Sequence, residues 1–244
     1  MKGATGLKPI DHKAVRKLPL FDGLDQGIAD ALLMKAVVQR VAAGKLLFTE
    51  GSVPSHLHAL LSGTAELFTA HSPRESGILL MSDGDMFMPA AVLFDEPYLN
   101  SARALTRSKI LLLDAEAVRA AFGRSHEVAV RMSRVLAGHF RMSVRHLIDL
   151  KTRTAAQRLA AFLLRLVDGS GSDSVELPVP KRSLASRVGM TAETFSRTLQ
   201  TLAEHGLVVR GTRVIVRDRA SIERFRGPAP YSDPTEIGLN VHAL

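Results

Sequence analysis

Residues 183–208, with the sequence SLASRVGMTAETFSRTLQTLAEHGLV, predict two short helices on either side of a glycine. The first is expected to end at Gly189, and the second to begin at a Thr191 cap and end at Gly206. Apolar residues at helical spacing give the two helices an inward face, formed by Leu184, Val188, Phe195, Leu199 and Leu202. The next stretch, GLVVRGTRVIVRD, predicts a two-stranded hairpin. Two helices around a short turn form a helix-turn-helix, and the added hairpin makes it a winged one.

The outward face of the second helix carries side chains suited to contacting bases. In a helix-turn-helix, the first residues of the second helix enter the major groove. Here these are Glu193, Ser196 and Arg197, next to Ala192. Arginine donates two hydrogen bonds to guanine, glutamate accepts one from cytosine, and serine can do either. The alternative is an i, i+4 ion pair between Glu193 and Arg197 on a solvated face, which would explain neither the hairpin nor the basic charge.

Further residues around this face are expected to meet DNA phosphates, which orient a protein without specifying sequence. They are Lys181, Arg182, Arg187, Thr191, Thr194, Arg210 and Arg213. The net charge of +8 is concentrated here, since residues 151–226 hold 14 Lys or Arg against 7 Asp or Glu. Such a basic block is typical of a nucleic-acid-binding domain, and the alternative is a basic surface that only aids solubility.

The N-terminal part of the chain has a different pattern. Residues 15–43 predict short helices, with Gly23 and Gly27 as breaks. From Gly44 onward, short apolar runs alternate with turn signals such as Glu50-Gly51 and Ser82-Asp83-Gly84-Asp85. Strands of this length and spacing predict an antiparallel barrel or sandwich.

Residues 125–151 contain no proline and predict a long helix. Six of its residues follow coiled-coil spacing and are expected to form a dimer seam: Val128, Met132, Val135, His139, Met142 and His146. A second apolar face is formed by Leu136, Phe140, Val144 and Leu147. Two apolar faces need two partners, so one is expected to pack on the strand domain and the other on a second copy. The alternative is one helix buried within a single domain.

The chain is therefore expected to be an α+β protein with three working parts and a tail. These are an effector-sensing strand domain with flanking short helices (1–124), a dimerisation helix (125–151), a winged helix-turn-helix (152–226) and a proline-rich, weakly acidic tail (227–244). No role is predicted for the tail.

Several functional classes are disfavoured by what the sequence lacks. There is no cysteine, which excludes disulfides, thiolate metal sites and cysteine-ligated iron–sulfur clusters. No apolar run is long enough for a signal peptide or a membrane span, so a cytoplasmic protein without a membrane partner is expected. Phosphate loops, nucleophile elbows and clustered metal ligands are also missing from the sequence, which argues against an enzyme.

From about Leu20 to Phe225 the chain resembles the Crp/Fnr family of bacterial transcription regulators. The resemblance is carried by LLFTEGSVPSHLHALLSGTAELF, SDGDMF, QRLAAFLLRL and GMTAETFSRTLQTL. It implies a cyclic-nucleotide-binding-like β-roll, a long dimerisation helix and a winged helix-turn-helix. It further implies a homodimer on a two-fold symmetric operator that acts with RNA polymerase. ETFSR resembles the Fnr-type pattern, which implies TTGA-like half-sites contacted by Glu193, Ser196 and Arg197; Ala192 replaces the arginine of the catabolite-regulator branch.

The resemblance places an effector pocket in the roll, at Met88, Asn100, Ser101 and Arg103. Members that bind cyclic AMP hold its phosphate with a Gly-Glu pair and a later Arg-Ser-Ala. Here Met88-Pro89 and Asn100-Ser101-Ala102 stand at those places. Arg103 is displaced by an odd number of residues, which on a strand points it to the other face. Cyclic AMP and cyclic GMP are therefore not the expected effectors.

The run YLNSARAL is most similar to the cysteine-free Nnr and Dnr branch, whose members are thought to sense nitric oxide through haem. A b-type haem needs an axial ligand. The histidine candidates are His56, His58, His71, His139 and His146, with Met132 and Met142 as further ligands. Alternatively, His139 and His146 form a polar layer in the seam, and His56 and His58 belong to the surface of the roll.

The cofactor and effector therefore stay open at this stage. Besides nitric oxide sensed through haem, another small molecule or an effector-independent regulator fits the sequence. Two rival functions are a cyclic-nucleotide-binding regulatory module and a protein that coats DNA without sequence preference. The helix-turn-helix argues against the first, and Glu193 and Ser196 against the second.

Overall fold

The computed structural model describes residues 4–5, 9–71, 74–177, 181, 184–185, 190–228 and 242–243. Side chains are not described for 4–5, 9–11, 71, 74, 76 and 242–243. Two compact units are present. The first contains the chain up to Thr69 and from Leu80 to Met142, and the second contains Ala70–Leu79 and the described residues from Ser143 onward.

Short helices and strands alternate along the N-terminal part of the chain. The helices are α1 (Pro9–Val15), α2 (Gln26–Leu33), α3 (Pro89–Phe94) and α4 (Ala115–Arg124). The strands are β1 (Ala4–Thr5), β2 (Val37–Val41), β3 (Leu46–Phe48), β4 (His56–Ser62), β5 (Ala65–His71), β6 (Arg74–Met81), β7 (Met86–Phe87), β8 (Ser101–Ala104) and β9 (Ser108–Asp114). One sheet has the order β1-β2-β9-β4-β7, and the other has the order β13-β6-β5-β8-β3, where β13 is His242–Ala243.

The prediction of short helices throughout residues 15–43 is wrong at its C-terminal end. The helix α2 begins after the Asp25 cap and ends at Leu33, and Val37–Val41 forms β2, paired antiparallel with β9. A short apolar run cannot be assigned to helix or strand by periodicity alone, and the β-branched Val37, Val38 and Val41 favour the strand once β9 offers hydrogen bonds.

The long helix is α5, His126–Thr152. Its residues Val128, Met132 and Val135 are at most 1% exposed and join the core formed with α1, α2, α4 and the first sheet. The predicted dimer seam is therefore wrong for these three residues, because their own domain covers them. Coiled-coil spacing shows that a helix face is buried but does not show which partner buries it.

The second unit contains the winged module. Its elements are α6 (Ala155–Ser170), β10 (Ser174–Glu176), α7 (Ala192–Glu204), β11 (Leu207–Arg210), β12 (Arg213–Val216) and α8 (Arg219–Arg226). The strands form a three-stranded sheet in the order β10-β12-β11. Thr154 and Gln157 form a capping box at the start of α6. Gly206 ends α7 with φ +86, and a Cβ there would lie 2.5 Å from Cβ of Asp218, so only glycine fits this turn.

Candidate nucleic-acid interface and effector pocket

Helix α7 divides into a buried and an exposed face. Phe195, Thr198 and Leu202 are buried, as the apolar spacing predicted for the first and last of them. Leu184, whose backbone is helical, is also buried. Val188 lies outside the described residues. Because one face of α7 is held by the core, its opposite face is presented in a fixed orientation.

The exposed face carries the three predicted base-contacting residues, Glu193, Ser196 and Arg197. Nη2 of Arg197 lies 2.6 Å from Oε1 of Glu193, and both side chains are about three-quarters exposed, at 77% and 74%. An ion pair this exposed contributes less than about 1 kcal/mol. The pair therefore orients two hydrogen-bonding groups toward solvent and gives way at little cost to a stronger partner.

The hairpin between β11 and β12 presents two cations side by side. Arg210 and Arg213 are directly opposite each other in the antiparallel register, and both are exposed. Arg213 donates from Nη2 to Oγ of Ser174 at 2.8 Å. Like charges on opposite residues repel, so an anion at this position would relieve the repulsion.

The other predicted phosphate contacts have separate outcomes. Thr191 caps α7, accepting at Oγ1 from the backbone N–H of Thr194 at 3.2 Å, and the two hydroxyls lie 2.9 Å apart. Lys181 is partly exposed on a helical segment. Arg182 and Arg187 lie outside the described residues.

Met88, Pro89 and Asn100 lie where the resemblance places the phosphate of a cyclic nucleotide, and none of these three side chains is charged. The structure brings Met88 and Asn100 together, with Asn100 Nδ2 3.8 Å from the Met88 sulfur. Oδ1 of Asn100 is buried and has no hydrogen-bond partner in the described part of the chain. Met88 adopts a left-handed backbone, φ +44, at the start of α3. A non-glycine residue there carries strain.

The other two predicted pocket residues make contacts of their own. Ser101 accepts at Oγ from the backbone N–H of Glu50 at 3.0 Å. Arg103 donates from Nε to Oε1 of Glu66 at 2.6 Å, and its guanidinium carbon lies 4.3 Å from the centre of the Phe68 ring. Sequence reasoning did not identify Glu66, which is opposite Arg103 only because β5 pairs with β8.

Two of the histidine candidates line one cleft of about 500 Å³. His56 and His58 lie on the same face of β4, while the intervening Leu57 is buried on the other face. Phe48 and Tyr98 stack with ring centres 3.9 Å apart, and the Phe48 ring is 5.3 Å from that of His58. This aromatic cluster could not be predicted from the sequence, because it joins β3, β4 and the loop before β8.

Burial determines the protonation of this cluster. Burial, with a smaller contribution from the neighbouring His56, lowers the pKa of His58 to about 4. Burial also raises the pKa of Tyr98 to about 12. The Tyr98 hydroxyl donates to the carbonyl oxygen of His56 at 3.2 Å. Nδ1 of His58 is shielded from solvent and has no hydrogen-bond partner among the described residues. The rings of His58 and Tyr98 are therefore uncharged near neutral pH.

The remaining haem candidates are not in this cleft. Burial lowers the pKa of His139 on α5 to about 4. His146, further along α5, is partly buried, as is Met142, whereas Met132 is in the core. The side chain of His71 is not described.

One face of α5 is apolar and exposed. Phe140 is 70% exposed, Leu147 52%, Leu150 48%, and Val130 and Val144 each 37%. Val130, Ala137 and Val144 recur every seven residues, and Phe140 and Leu147 follow the last two of them by three residues, which is the spacing of a coiled-coil seam. The second apolar face of the sequence, rather than the first, is therefore the face open to a partner.

None of the described helices has the combination of length and apolar character needed to cross a membrane.

Comparison with known proteins gives two domain matches. A cyclic nucleotide-binding domain matches residues 38–125, and a Crp-like helix-turn-helix domain matches residues 157–225. The cyclic AMP receptor protein of Thermus thermophilus is 30% identical over 210 residues, which cover 85% of this chain and 96% of that protein. The nitrogen fixation regulation protein FixK of Azorhizobium caulinodans is 26% identical over 195 residues, covering 73% and 75%.

The structure of FixK2 from Bradyrhizobium japonicum has the same fold. It superposes with a TM-score of 0.70 at 23% identity, covering 80% of this chain and 98% of that one. Together with the two domain matches, this confirms the predicted fold class: an N-terminal cyclic-nucleotide-binding domain and a C-terminal Crp-like helix-turn-helix.

Proposed function

The chain belongs to the Crp/Fnr family of DNA-binding transcription regulators, and from this we propose that it acts as a homodimer on a palindromic pair of TTGA-like half-sites. The observation that carries the proposal is the outward face of α7, where Glu193, Ser196 and Arg197 are exposed on a helix whose other face is buried. The relatives it resembles are transcription regulators, so a regulator rather than an enzyme is proposed, acting in the cytoplasm where its DNA is.

Base contacts follow from the chemistry of these three side chains. The Arg197 guanidinium can donate two hydrogen bonds to one guanine, and the Glu193 carboxylate can accept from a cytosine amino group. On the protein alone the two side chains pair with each other at 2.6 Å. DNA would replace this weak, solvent-exposed pair with two desolvated contacts, and Ser196 would contribute a third at short reach.

Backbone contacts are proposed for the surroundings of α7. Arg210 and Arg213 on the hairpin, together with Lys181, Arg182 and Arg187, would neutralise phosphates on either side of the groove. Thr191 and Thr194 lie at the N-terminus of α7, where the helix dipole favours an anion. These contacts add affinity that depends on salt and not on sequence.

The dimer is proposed to form through the exposed face of α5, centred on Phe140, Val144 and Leu147. An apolar stripe at heptad spacing is self-complementary when two parallel helices pack against each other around a two-fold axis. The same axis places two recognition helices on half-sites about one turn of DNA apart, roughly 34–36 Å. A two-fold symmetric protein thereby selects a palindromic operator.

Control by an effector in the roll is proposed to act through the equilibrium between dimer states. A ligand that binds one state better shifts the population toward it, and the DNA-bound dimer then contacts RNA polymerase. Regulation without an effector is the alternative, in which the amount of protein sets the response.

Haem b with nitric oxide is a second candidate for control, favoured because His56 and His58 share one cleft. A neutral imidazole is the form that ligates iron, and the lowered pKa of His58 keeps it neutral. No Lys or Arg is among the described residues that line the cleft to meet the two propionates. The lining therefore suits the iron but not the propionates. An absorption spectrum after haem reconstitution tests this, since a spectrum matching that of unbound haem would exclude it.

The main proposal is tested by fluorescence anisotropy with three labelled duplexes, which carry two half-sites, one half-site, or a scrambled sequence of equal composition. We expect the palindrome to bind about 10³-fold more tightly than the scrambled duplex, with the single half-site between them. Equal affinity for all three would show a protein that coats DNA without sequence preference and would overturn the proposal.

A further inference from the structure

The cleft at β3 and β4 has no Asp, Glu, Lys or Arg among the described residues that line it. Its floor is the stacked pair Phe48 and Tyr98, which are 8% and 3% exposed. Its rim includes Leu46 and Val53, which are 48% and 60% exposed although both are apolar. Exposed apolar residues around an aromatic floor are typical of small-molecule sites, and about 500 Å³ lies within the usual range of such sites.

The cleft is held open by its own backbone. The N–H of Tyr98 donates to the carbonyl of Ser52 at 3.0 Å, and the N–H of Gly51 donates to the carbonyl of Tyr98 at 2.8 Å. These two bonds fix the Tyr98 loop against the turn that follows β3. A site that is formed before its ligand arrives loses little entropy on binding.

Charged groups near the cleft are engaged elsewhere. The Glu50 carboxylate, one residue beyond the lining residue Thr49, accepts from the Thr69 hydroxyl at 3.0 Å. Arg103, on the neighbouring strand β8, is paired with Glu66. A carboxylate or phosphate entering the cleft would lose its water and meet no Lys or Arg among the described residues that line it.

We propose that this cleft binds an uncharged, mainly apolar small molecule, with a ring or short chain against Phe48 and Tyr98 and a polar group toward His58. The inference rests on the proposed function in one respect, namely that the ligand is the effector of the regulator. The proposed ligand differs in charge from a cyclic nucleotide, which is held by its phosphate, and from haem, which carries two propionates. Nδ1 of His58 supplies a hydrogen-bonding group that the described residues do not use, and rotation of the ring about its last torsion can turn it toward a ligand.

The test uses the full chain and two naphthalene dyes of similar size. One is prodan, which is neutral, and the other is 1-anilinonaphthalene-8-sulfonate, which is an anion. We expect prodan to bind saturably, one per chain, with a blue-shifted emission, and the anion to bind at least about tenfold more weakly.

Two matched variants locate the site. Val53→Asp puts a carboxylate at the rim and should weaken prodan at least about tenfold. Met34→Asp makes the same change at a residue 79% exposed outside the cleft and should leave affinity unchanged. If prodan instead bound the apolar face of α5, Val53→Asp would not change its affinity. An affinity for prodan equal to that of the wild type in this variant therefore overturns the proposal.

Other outcomes also count against the cleft. Three results would contradict the proposal that the ligand is uncharged. They are equal or tighter binding of the anionic dye, displacement of prodan by cyclic AMP, and stoichiometric haem binding that is lost in His58→Phe. Operator affinity measured on the same samples keeps the two proposals apart. If prodan binds but the protein shows no sequence preference on DNA, the proposed regulator function is wrong and the ligand site stands. If the protein prefers its operator but does not bind prodan, only the ligand site is wrong.

Discussion

Arg103 and Glu66 are directly opposite each other on β8 and β5, and Nε of Arg103 donates to Oε1 of Glu66 at 2.6 Å. The Glu66 side chain is 3% exposed and the Arg103 side chain 30% exposed, and the guanidinium also lies over the ring of Phe68. The arginine nearest to the family's phosphate position is thus part of the sheet's own packing. An anion would have to compete with a buried carboxylate for it.

Arg103→Ala is expected to destabilise the β-roll by roughly 2–3 kcal/mol, because Glu66 would be left buried without this partner. This is less than for a fully buried pair, since Arg103 is almost a third exposed. The matched control is Arg219→Ala, whose ion pairs with Asp168 and Glu223 are all more than 40% exposed and should contribute less than about 1 kcal/mol. Urea denaturation followed by circular dichroism gives both values, and equal losses would contradict the assignment.

Arg197→Ala is expected to weaken operator binding by about 1–3 kcal/mol and to relax preference only at guanine-containing positions. The matched control is Gln200→Ala, because Gln200 is an exposed residue on α7 three positions after Arg197. Anisotropy titrations against duplexes with single base changes measure both effects. A loss that is uniform across all sequences would mean that Arg197 contacts phosphate instead of a base.

Arg210→Ala is expected to act in the opposite way. It should weaken the operator and the scrambled duplex by the same factor and reduce the slope of log affinity against log salt by about 1. Removing one of two opposed arginines also relieves their repulsion, so folding stability should not fall. A change in base preference with an unchanged salt slope would show that Arg210 does not contact a phosphate.

Phe140→Asp is expected to raise the dimer dissociation constant at least about 30-fold, because each copy would place a carboxylate in an apolar seam. Leu99→Asp makes the equivalent change at a residue 79% exposed outside α5 and should leave the dimer intact. Sedimentation equilibrium distinguishes the two. A dimer unaffected by Phe140→Asp would exclude the exposed face of α5 as the interface.

Asp85→Asn is expected to stabilise the protein increasingly as the pH rises from 4 to 8. Burial raises the pKa of Asp85 from 3.8 to about 7, although Ser82 donates to its Oδ2 from both N–H and Oγ. A raised pKa contributes stability that is full below pH 3.8 and is lost as the pH rises through 7. The asparagine stays neutral, so its advantage over the wild type should grow by up to about 4 kcal/mol.

The wild type serves as the reference for that comparison. The lowered pKa values of His58 and His139 have the opposite sign and remove stability as the pH falls from 6.5 toward 4. They act equally in both proteins and cancel in the difference. A gap between variant and wild type that stays constant with pH would show that Asp85 is ionised throughout.

The sequence predicted those features that depend on local spacing. The cap at Thr191, the glycine at 206, the burial of Phe195 and Leu202 and the exposure of Glu193 and Arg197 are all visible along a single helix or turn. Which face of α5 meets the core was predicted wrongly, since Val128 and Phe140 are equally apolar in sequence. The Glu66–Arg103 pair and the cleft at His58 could not be predicted, because they join strands distant in the chain.

The stacking of Tyr98 on Phe48 also gives the protein an optical probe of its own. The chain has no tryptophan and two tyrosines, and one of these, Tyr98, lies in the floor of the cleft. With its pKa raised to about 12, this phenol stays un-ionised in any ordinary buffer. Emission excited in the tyrosine band is therefore undisturbed by a stronger indole signal. A molecule that settles on this ring will change the intensity or lifetime of that emission, so ligands can be screened on the unlabelled, unmutated protein.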